Sequence, residues 1–491
     1  MSGGDDSPAA GTTGLGLTPP KPERADTPDT AAGGLRRVVV YGRWPLVAMA
    51  ATVALQSGER QSLSEAVNGI QHQFHVSDSV VGFLPFAMAL VGVVGALPFG
   101  YLADRMRRAI LLAGGVAVWT VCMALDAVAG TYLLLFVFRL GIGAMEANSP
   151  AAISLLSDYY PALERAKNMG LYQAGALVGA IVGLAAGGLA VSLGGWRWAF
   201  IMWVPLGVAT VFFVARQPEP VRGCQDDSWE PPPATVEAAT ALGLDTLNRL
   251  PPPGRTATCD YATATNREVL RELLAARSMW YGVMALTVSQ LLLNGLQFWA
   301  VPYFERVDGL GSLGASAVAA PLALGAVVGI LGGGYLADHL LRGGMTNARV
   351  FVVAFGSIAA TIVLLPAFVI TNLWVTAPLL LLGGIVVTLP VAPAEALMTD
   401  VVVAEFRGPA AGIRAIVRSL SSAGPAVIGV TSTTLISRLA IDRADGLRWA
   451  IVALTPIYAI GGVLMLLAAR YYPADVAFVA AESRRKAGGD E

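Results

Sequence analysis

The five residues Gly-Tyr-Leu-Ala-Asp occupy positions 100–104 and return unchanged at 334–338. Each copy closes a long apolar run and is followed by basic residues, Arg105 and Arg108 after the first copy and Arg342 after the second. A repeat of this kind indicates two related halves, in which a membrane span ends at the same type of polar turn. The pattern predicts an all-α membrane protein with twelve transmembrane helices in two pseudo-symmetric six-helix bundles.

The composition supports a membrane-embedded chain. Of the 491 residues, 55% are hydrophobic and 14% are charged, whereas soluble proteins carry about 25% charged residues. A lipid-facing surface requires this deficit, because lipid does not solvate charge. The net charge of −1 gives no indication of a nucleic-acid partner. Cys122, Cys224 and Cys259 have neither metal-site nor disulfide spacing, so we expect reduced, structural thiols.

Apolar runs of about 18 residues or more mark the spans, because about 20 residues cross the hydrocarbon core. The predicted spans, numbered 1 to 12 in chain order, lie near 44–74, 79–103, 109–129, 131–157, 168–193, 197–216, 278–304, 312–337, 348–370, 373–402, 409–438 and 447–471. The predicted divisions are a disordered cytoplasmic tail without a signal-peptide core (1–36), an N-terminal bundle (37–217), a cytoplasmic linker with a short helix at its end (218–276), a C-terminal bundle (277–472) and a cytoplasmic tail (473–491).

Span 1 is the unusual span. Its apolar stretch from Trp44 to Leu55 is too short to cross the hydrocarbon core. The helix must therefore continue through the polar residues 56–60 towards Phe74. Its second half must face protein or a wet cavity, because lipid cannot satisfy polar groups.

Basic residues divide the turns into two sets. Turns with Arg or Lys lie at 104–108, 161–167, 338–349 and 403–408, and turns without them lie at 72–78, 130 and 371–373. The positive-inside rule then places the linker and both termini in the cytoplasm, for a multi-pass protein of the plasma membrane. Five arginines fall on the predicted outer side and weaken this count: Arg197, Arg306, Arg438, Arg443 and Arg448.

Two further repeats align the halves. Asp158 precedes Arg165 by the same spacing as Asp400 precedes Arg407. The stretch Gly-Trp-Arg-Trp-Ala at 195–199 matches Gly-Leu-Arg-Trp-Ala at 446–450. Parallel repeats of six spans are typical of the two halves of a secondary transporter.

The first repeated loop resembles a signature of the major facilitator superfamily, with Gly100, Asp104, Arg105 and Arg108 in place and Arg107 where that family usually has Gly. Stretches that resemble its spinster-type branch are Glu59-Arg60, Arg139 with 143–147, 194–200, 219–223 and 299–309 around Arg306. The resemblance covers about 44–472. It implies two bundles that rock around a central cavity. The chain also lacks a phosphate-cradling loop, a nucleophile elbow and a zinc signature, so we expect no enzyme.

Glu59 and Arg60 fall near the midpoint of span 1. A charge at this depth costs about 2.5–3.5 kcal/mol unless it faces a polar interior or a partner. Neighbouring helix residues point about 100° apart, so the two side chains cannot face one partner together. Glu59 is then either a protonatable coupling site or half of a static ion pair.

Arg139 and Glu146 are seven residues apart on span 4 and share a face. Glu146 falls near mid-depth, where it could meet Glu59 or Arg60 across the cavity. The spinster-type resemblance implies that the acids of spans 1 and 4 form a proton-linked pair, and Glu59 and Glu146 hold those positions. The alternative is a buried network that only fixes packing.

Arg414 and Arg418 lie at i and i+4 on one face of span 11. Arg414 is about 10 Å inside the cytoplasmic end and is predicted to serve the gate. Arg418 is deeper and is predicted to bind an anionic head group, with a gate role for both arginines as the alternative. Polar residues that are predicted either to line the cavity or to bond between helices are Asn294, Gln297, Tyr172 and Gln173.

The superfamily resemblance also implies that the repeated loops latch the bundles together in the outward-facing state. Asp104 would meet the N-terminus of span 11 near Gly408, and Asp338 the start of span 5 near Asn168. The predicted latch and gate residues are Asp104, Arg105, Arg108, Asp338, Arg342 and Arg414. On span 5, glycines recur every four residues, a spacing that permits close helix contact, at Gly175, Gly179, Gly183 and Gly187.

These features together predict a proton-driven secondary transporter. No ATP site is present, and we expect no cofactor or metal. The spinster-type resemblance favours an amphiphile with an anionic head, such as a lysophospholipid, moved by a monomer among membrane lipids. The alternatives are a proton-coupled carrier of small organic anions or drugs, and a non-transporting membrane sensor.

Overall fold

The computed structural model describes residues 42–146, 149–160, 162–220, 265–403 and 406–487. The predicted N-terminal tail and most of the predicted linker lie outside these residues, as do the side chains of Asp104 and Glu146. All regular structure in the described ranges is helical, and it comprises twelve spans. The fold class predicted from the sequence is confirmed.

The spans divide equally between two halves. Spans 1 to 6 are Trp44–Phe74, Asp78–Arg105, Arg108–Val128, Tyr132–Glu146 with Ser149–Tyr159, Ala162–Gly194, and Trp198–Ile201 with Trp203–Ala215. Spans 7 to 12 are Arg277–Val307, Ser312–Arg342, Ala348–Val369, Leu373–Thr388 with Val391–Asp400, Arg407–Ser419 with Gly424–Leu439, and Arg443–Leu454 with Ile457–Ala468. A 3₁₀ turn, Leu420–Ala423, joins the two parts of span 11. A helix at Asn266–Ala275 precedes span 7, and a helix at Tyr472–Ala487 follows span 12.

Prolines account for the breaks inside spans 10, 11 and 12. Pro390, Pro425 and Pro456 each stand where one helical segment gives way to the next. Proline has no N–H to donate, and its ring clashes with the preceding turn, so a continuous helix cannot pass through it undisturbed.

Helix length and composition separate three spans from the rest. In the described part of the chain, nine helical stretches are long and apolar enough to cross a membrane, and they belong to every span except 1, 4 and 11. These three spans carry Glu59, Arg139 and Arg418 respectively. Span 1 runs unbroken to Phe74 and buries Glu59 and Glu65, which confirms that its polar second half faces protein.

Packing repeats between the halves. Spans 1 and 5 pack together, as do 2 and 4, 3 and 4, and 3 and 6, and adding six to each number gives the pairs of the C-terminal half. Between the halves, span 1 packs on span 7, span 2 on span 11, and span 5 on span 8. The contact of span 2 with span 11 and that of span 5 with span 8 are equivalent by the pseudo-symmetry, because span 2 corresponds to span 8 and span 5 to span 11. The molecule is therefore a pseudo-symmetric pair of six-helix bundles.

The glycines of span 5 pack as their spacing predicts. A Cβ atom added to Gly175, Gly179 or Gly183 would lie 2.1 to 2.6 Å from a backbone oxygen of span 1. Span 8 has an equivalent series, in which a Cβ atom on Gly325, Gly329 or Gly333 would lie 2.0 to 2.2 Å from a backbone oxygen of span 10. Both contacts bring two helix backbones close together, which only glycine allows.

Repeated arginines tie the ends of the spans. Arg108 at the start of span 3 forms an ion pair with Asp158 at 2.6 Å, and Arg349 at the start of span 9 bonds to Asp400. At the other end, Arg197 donates to the carbonyl of Ala129 at 3.2 Å. Arg448 does the same to the carbonyls at the end of span 9. Two of the arginines that weakened the positive-inside count are therefore caps for helix carbonyls rather than free loop charges.

Two helices outside the spans are fixed by polar contacts. In the helix before span 7, Thr265 Oγ1 accepts from the Glu268 N–H at 3.4 Å, and Glu268 Oε2 accepts from the Thr265 N–H at 2.8 Å, which together form a capping box. The segment after span 12, predicted as a tail, forms a docked helix. Its Asp475 accepts from the Ser278 N–H at 3.0 Å and hydroxyl at 2.6 Å, at the start of span 7.

Candidate functional site

A central cavity lies between the two halves. Its volume is about 740 Å³, including the part that opens to solvent. Spans 1, 2, 7 and 11 line it with Arg60, Gln61, Leu63, Pro85, Met88, Ala89, Asn294, Gln297, Phe298, Ser422 and Pro425. Polar and apolar side chains thus share one wall.

The structure brings three of the predicted site residues into this cavity. Arg60 from span 1 and Asn294 and Gln297 from span 7 line it. Asn294 Nδ2 also donates to the Ser421 carbonyl at 3.2 Å, so it bonds across the 3₁₀ turn of span 11. Asn294 therefore both lines the cavity and bonds between helices, the two alternatives that the sequence left open.

Tyr172 and Gln173 lie elsewhere. Tyr172 lines a separate, smaller pocket of about 250 Å³ inside the N-terminal half, together with Thr52 and Gln56. Gln173, the next residue, is exposed. The structure therefore does not bring the two polar residues of span 5 into the wall of the central cavity.

Glu59 lies in a buried charge cluster of the N-terminal half. Arg139 donates through Nη1 to Glu59 Oε1, and Arg139 Nε lies 2.8 Å from Asp126 Oδ2. The exposed fraction of each of these side chains is between 0 and 2%. The Arg139 guanidinium also lies over the ring of Phe200, 4.3 Å from its centroid. We call Glu59, Asp126 and Arg139 the buried triad.

The buried triad differs from the pairing that the sequence predicted. Glu59 bonds to Arg139 inside its own half instead of meeting a partner across the cavity, and Arg60, one residue on, lines the cavity. The divergence follows from the 100° turn between neighbouring helix residues. Asp126 was missed, although an acid inside the apolar run of span 3 is the signal that would have found it. The side chain of Glu146 lies outside the described residues, so its pairing with Glu59 stays a prediction.

The charged groups of span 11 are more accessible. Arg418 donates through Nη1 to Glu395 Oε1 of span 10, and the two side chains are 36% and 39% exposed. Arg414, one turn away, has a buried Nη1 atom without a hydrogen-bond partner among the described residues. Glu395 is a second residue that sequence reasoning did not place in the site.

The two ends of the molecule differ where span 2 meets span 11. At one end, a Cβ atom on Gly82 would lie 2.5 Å from the Pro425 oxygen, and one on Gly429 would lie 2.3 Å from the Asp78 oxygen. At the other end, a Cβ atom on Gly408 or Gly412 would meet no described atom within 4 Å. We call the first the sealed end and the second the open end.

A polar network joins the halves at the sealed end. Arg306 of span 7 donates to Asn68 Oδ1 at 2.7 Å and to Asp78 Oδ1 at 3.0 Å. Gln71 Nε2 and the Ser432 hydroxyl also donate to Asp78, at 2.8 and 2.7 Å. Arg306, another outer-side arginine of the sequence count, is thus a buried interhelical partner, since its ion pair with Asp78 is largely shielded from solvent.

The predicted latch residues are distributed among different contacts at the open end. Arg105 is exposed and stacks over the Tyr101 ring, 3.9 Å from its centroid. Arg108 is buried and bonds to Asp158 and Glu219 within its own half. This contact ties spans 3 and 4 together rather than joining the bundles.

The second copy of the repeat, which forms the helical end of span 8, has weaker contacts. Asp338 lies 3.8 Å from Arg349 at the start of span 9 and is exposed, as is Arg342. The side chain of Asp104 lies outside the described residues. The contact of Asp104 with span 11 and that of Asp338 with span 5 stay predictions for another conformation.

Comparison with known proteins agrees with this geometry. The family model of the Major Facilitator Superfamily matches residues 49–425. Protein spinster homolog 1 of Rattus norvegicus is 29% identical over 241 residues, which cover 47% of this chain and 45% of that protein. The chain thus aligns with about half the length of this relative. A probable L-galactonate transporter of Escherichia coli (strain K12) is 26% identical over 304 residues, 59% of this chain and 60% of that protein.

A solved structure supports the fold. The crystal structure of a bacterial homolog to the human lysosomal transporter Spinster, in an inward-facing and unoccupied conformation, superposes with a TM-score of 0.72 at 22% sequence identity. The alignment covers 90% of this chain and 99% of that one. From the family match over most of its length, we conclude that the chain belongs to the Major Facilitator Superfamily.

Proposed function

We propose that this protein is a proton-coupled secondary transporter that moves an amphiphilic anion of lysophospholipid type by alternating access. The observation that carries the proposal is the mixed wall of the central cavity, where Arg60, Asn294 and Gln297 lie beside Leu63, Met88 and Phe298. Specific binding sites combine an apolar lining with a few placed polar groups. An amphiphile offers a complement to both kinds of side chain.

We propose that Arg418 receives the anionic head group. It already bonds to a carboxylate, that of Glu395, while both side chains stay more than a third exposed. A substrate anion can therefore take the place of Glu395 without first opening a buried pair. Arg414 lies nearby on the same helix face, its Nη1 atom has no hydrogen-bond partner among the described residues, and it supports the same charge.

Charge balance supports proton coupling at the buried triad. Two carboxylates and one guanidinium carry a net charge of −1 when all are ionised, and the triad is shielded from solvent. An uncompensated charge in such a site costs several kcal/mol, on the order of the penalty for breaking a buried ion pair. One bound proton removes that charge. We propose that the triad, with Glu146, takes up and releases this proton during the cycle.

The sealed and open ends support alternating access. The structure closes the cavity at the Asp78–Arg306 contact, and at the other end a Cβ atom on Gly408 or Gly412 of span 11 would meet no described atom within 4 Å. We propose that the open end faces the cytoplasm of a plasma-membrane monomer, because the basic turns lie at that end. Rocking of one bundle against the other would exchange the two ends.

Flux into proteoliposomes tests the proposal. A fluorescent lysophosphatidylglycerol should cross faster with a pH gradient of one orientation than without it, and the reverse gradient should not accelerate it. Glu268→Gln, an exposed acid on the helix before span 7, is the matched control and should leave flux unchanged. Flux that is the same with and without protein would contradict the transport proposal, and flux that ignores the gradient would contradict proton coupling.

A small organic anion is the second candidate substrate. The similarity to a probable L-galactonate transporter favours it, and the arginines of span 11 would suit a sugar acid equally well. Competition separates the two candidates. If excess galactonate abolishes the proton-driven flux of the fluorescent lysolipid while excess unlabelled lysophosphatidylglycerol does not, the second candidate replaces the first.

A further inference from the structure

Glu65 is a buried acid that none of the roles above uses. It lies on span 1 between the buried triad and the sealed end, and its exposed fraction is 1%. Span 5 presses on it, because a Cβ atom on Gly187 would lie 3.1 Å from Glu65 Cγ. A hydrogen bond joins Glu65 to Ser316 of span 8 across the interface between the two halves, which we call the seam. A carboxyl group thus lies directly between the two halves.

The hydroxyl of Ser316 can bond to Glu65 either as donor or as acceptor. Ser316 Oγ lies 2.6 Å from Glu65 Oε1 and also 2.6 Å from the carbonyl oxygen of Ser312. A hydroxyl has one hydrogen to donate, and a carbonyl oxygen can only accept. When that hydrogen goes to Ser312, the second contact is satisfied only if the carboxyl group of Glu65 donates to Ser316 Oγ.

The other neighbours also disfavour an ionised Glu65. Among the described residues, Glu65 Oε2 has no hydrogen-bond partner. The charged neighbour is Glu305 of span 7, another acid. Glu305 accepts hydrogen bonds from Asn68 Nδ2 and from the Ser312 hydroxyl, each at 2.5 Å. Among the described contacts of Glu65, span 5 provides Gly187 and span 8 provides the Ser316 hydroxyl, and neither balances a negative charge on Glu65.

We propose that Glu65 is a second proton-binding site, separate from the buried triad, whose protonation is required to close the sealed end. In the closed seam Glu65 is protonated and donates a hydrogen bond to the Ser316 hydroxyl. When spans 1 and 8 separate, Glu65 meets solvent on that side and releases the proton. The proposal rests on the proposed alternating access, and it does not depend on the substrate or on the triad.

Distance measurements across the sealed end test this site without any transport assay. Spin labels are placed at Gly130→Cys and Thr371→Cys, exposed turn positions of the two halves, in a full chain whose native cysteines are serine. A side chain at Gly130 meets no described atom within 4 Å. In lipid vesicles, we expect the distance between the labels to lengthen as the pH rises from 5 to 9, because deprotonation of Glu65 opens the seam.

Glu65→Gln carries the decisive outcome. Its amide donates to Ser316 as the protonated acid does, so the short distance should persist at every pH. Ser316→Ala removes the acceptor of the carboxyl proton and should lower the pH midpoint of opening by about half to one pH unit. A Glu65→Gln chain that opens with pH like the parent, or a parent that does not respond between pH 5 and 9, overturns the proposal. Both results leave the flux test of the proposed function untouched.

Discussion

The two halves share a scaffold and differ in where they place charge. The N-terminal half encloses Glu59, Asp126 and Arg139 almost completely, whereas Arg418 and Glu395 of the C-terminal half remain more than a third exposed. Yet the helix pairings of the two halves are related by adding six to the span number. The charges do not follow that relation, because the triad lies on spans 1, 3 and 4 and the Glu395–Arg418 pair on spans 10 and 11. The difference teaches that the repeat conserves packing and leaves chemistry free to diverge. We propose that the sealed charges respond to protons, while the exposed pair is available to a substrate.

The largest difference between the halves is expected in the free energy of unfolding that is lost when a charged side chain is removed. Arg139→Leu leaves Glu59 and Asp126 buried without their cation, so we expect the free energy of unfolding to fall by about 3–5 kcal/mol. Arg418→Leu is the matched change in the C-terminal half. It should cost no more than about 1 kcal/mol, because solvent screens that pair. Thermal unfolding in detergent micelles measures both, and equal losses would break the comparison.

Neutral replacements should remove coupling from the N-terminal half alone. Asp126→Asn balances the triad permanently, because Glu59 and Arg139 then cancel without a proton. We expect pH-driven flux to be lost in Asp126→Asn and in the corresponding change Glu59→Gln, with substrate binding retained. Glu146→Gln should behave in the same way if the predicted pair with Glu59 forms.

Glu395→Gln is the control for coupling in the other half. It changes an acid that we assign to substrate exchange, so it should alter affinity and keep the response to a pH gradient. Equilibrium binding and gradient-driven flux, measured on the same proteoliposome preparations, provide the two readouts. If Glu395→Gln loses gradient-driven flux while Asp126→Asn keeps it, the roles of the halves are reversed.

Glycine contacts test the shared scaffold. Gly179→Ala places a Cβ atom 2.1 Å from the Ala54 oxygen, so span 5 must move away from span 1. We expect a loss of about 1–3 kcal/mol in stability. Gly170→Ala, on the same span with no described atom within 4 Å, should be neutral or slightly stabilising, by up to about 1 kcal/mol. Urea unfolding followed by tryptophan fluorescence would detect the contrast, and similar values for both variants would show that the close contact carries no constraint.

The smallest effect is expected at the head-group site. Arg418→Gln removes a charge-assisted hydrogen bond, worth about 1.5 kcal/mol or somewhat more. The affinity for an anionic lysolipid should therefore fall about tenfold. A zwitterionic lysolipid of the same chain length should lose much less. Isothermal titration of both ligands against the variant checks this, and an equal loss for the two would mean that Arg418 does not recognise the head-group charge.

Many features of the site could be predicted from the sequence of a single span. The contacts between residues of different spans could not. The polar stretch of span 1 predicted a buried second half, which Glu59 and Glu65 confirm. The spacing of glycines on span 5 predicted its close contact with a neighbour. The sequence predicted no partner for Arg139 and proposed that Glu146 meets Glu59 or Arg60, whereas the structure pairs Arg139 with Glu59 and Asp126.

The sequence by itself determined the number of spans, the duplication and the charged residues to be expected in spans 1, 4 and 11. Hydropathy and repeats are visible along the chain, because each span must by itself be apolar enough and long enough to cross the hydrocarbon core. Only the tertiary structure decided that Asp126 completes the triad, that Glu395 faces Arg418 and that Glu65 lies in the seam. These contacts depend on how each helix is rotated and how closely it approaches its neighbour. Glycine contacts and proline breaks elsewhere in the chain set both quantities.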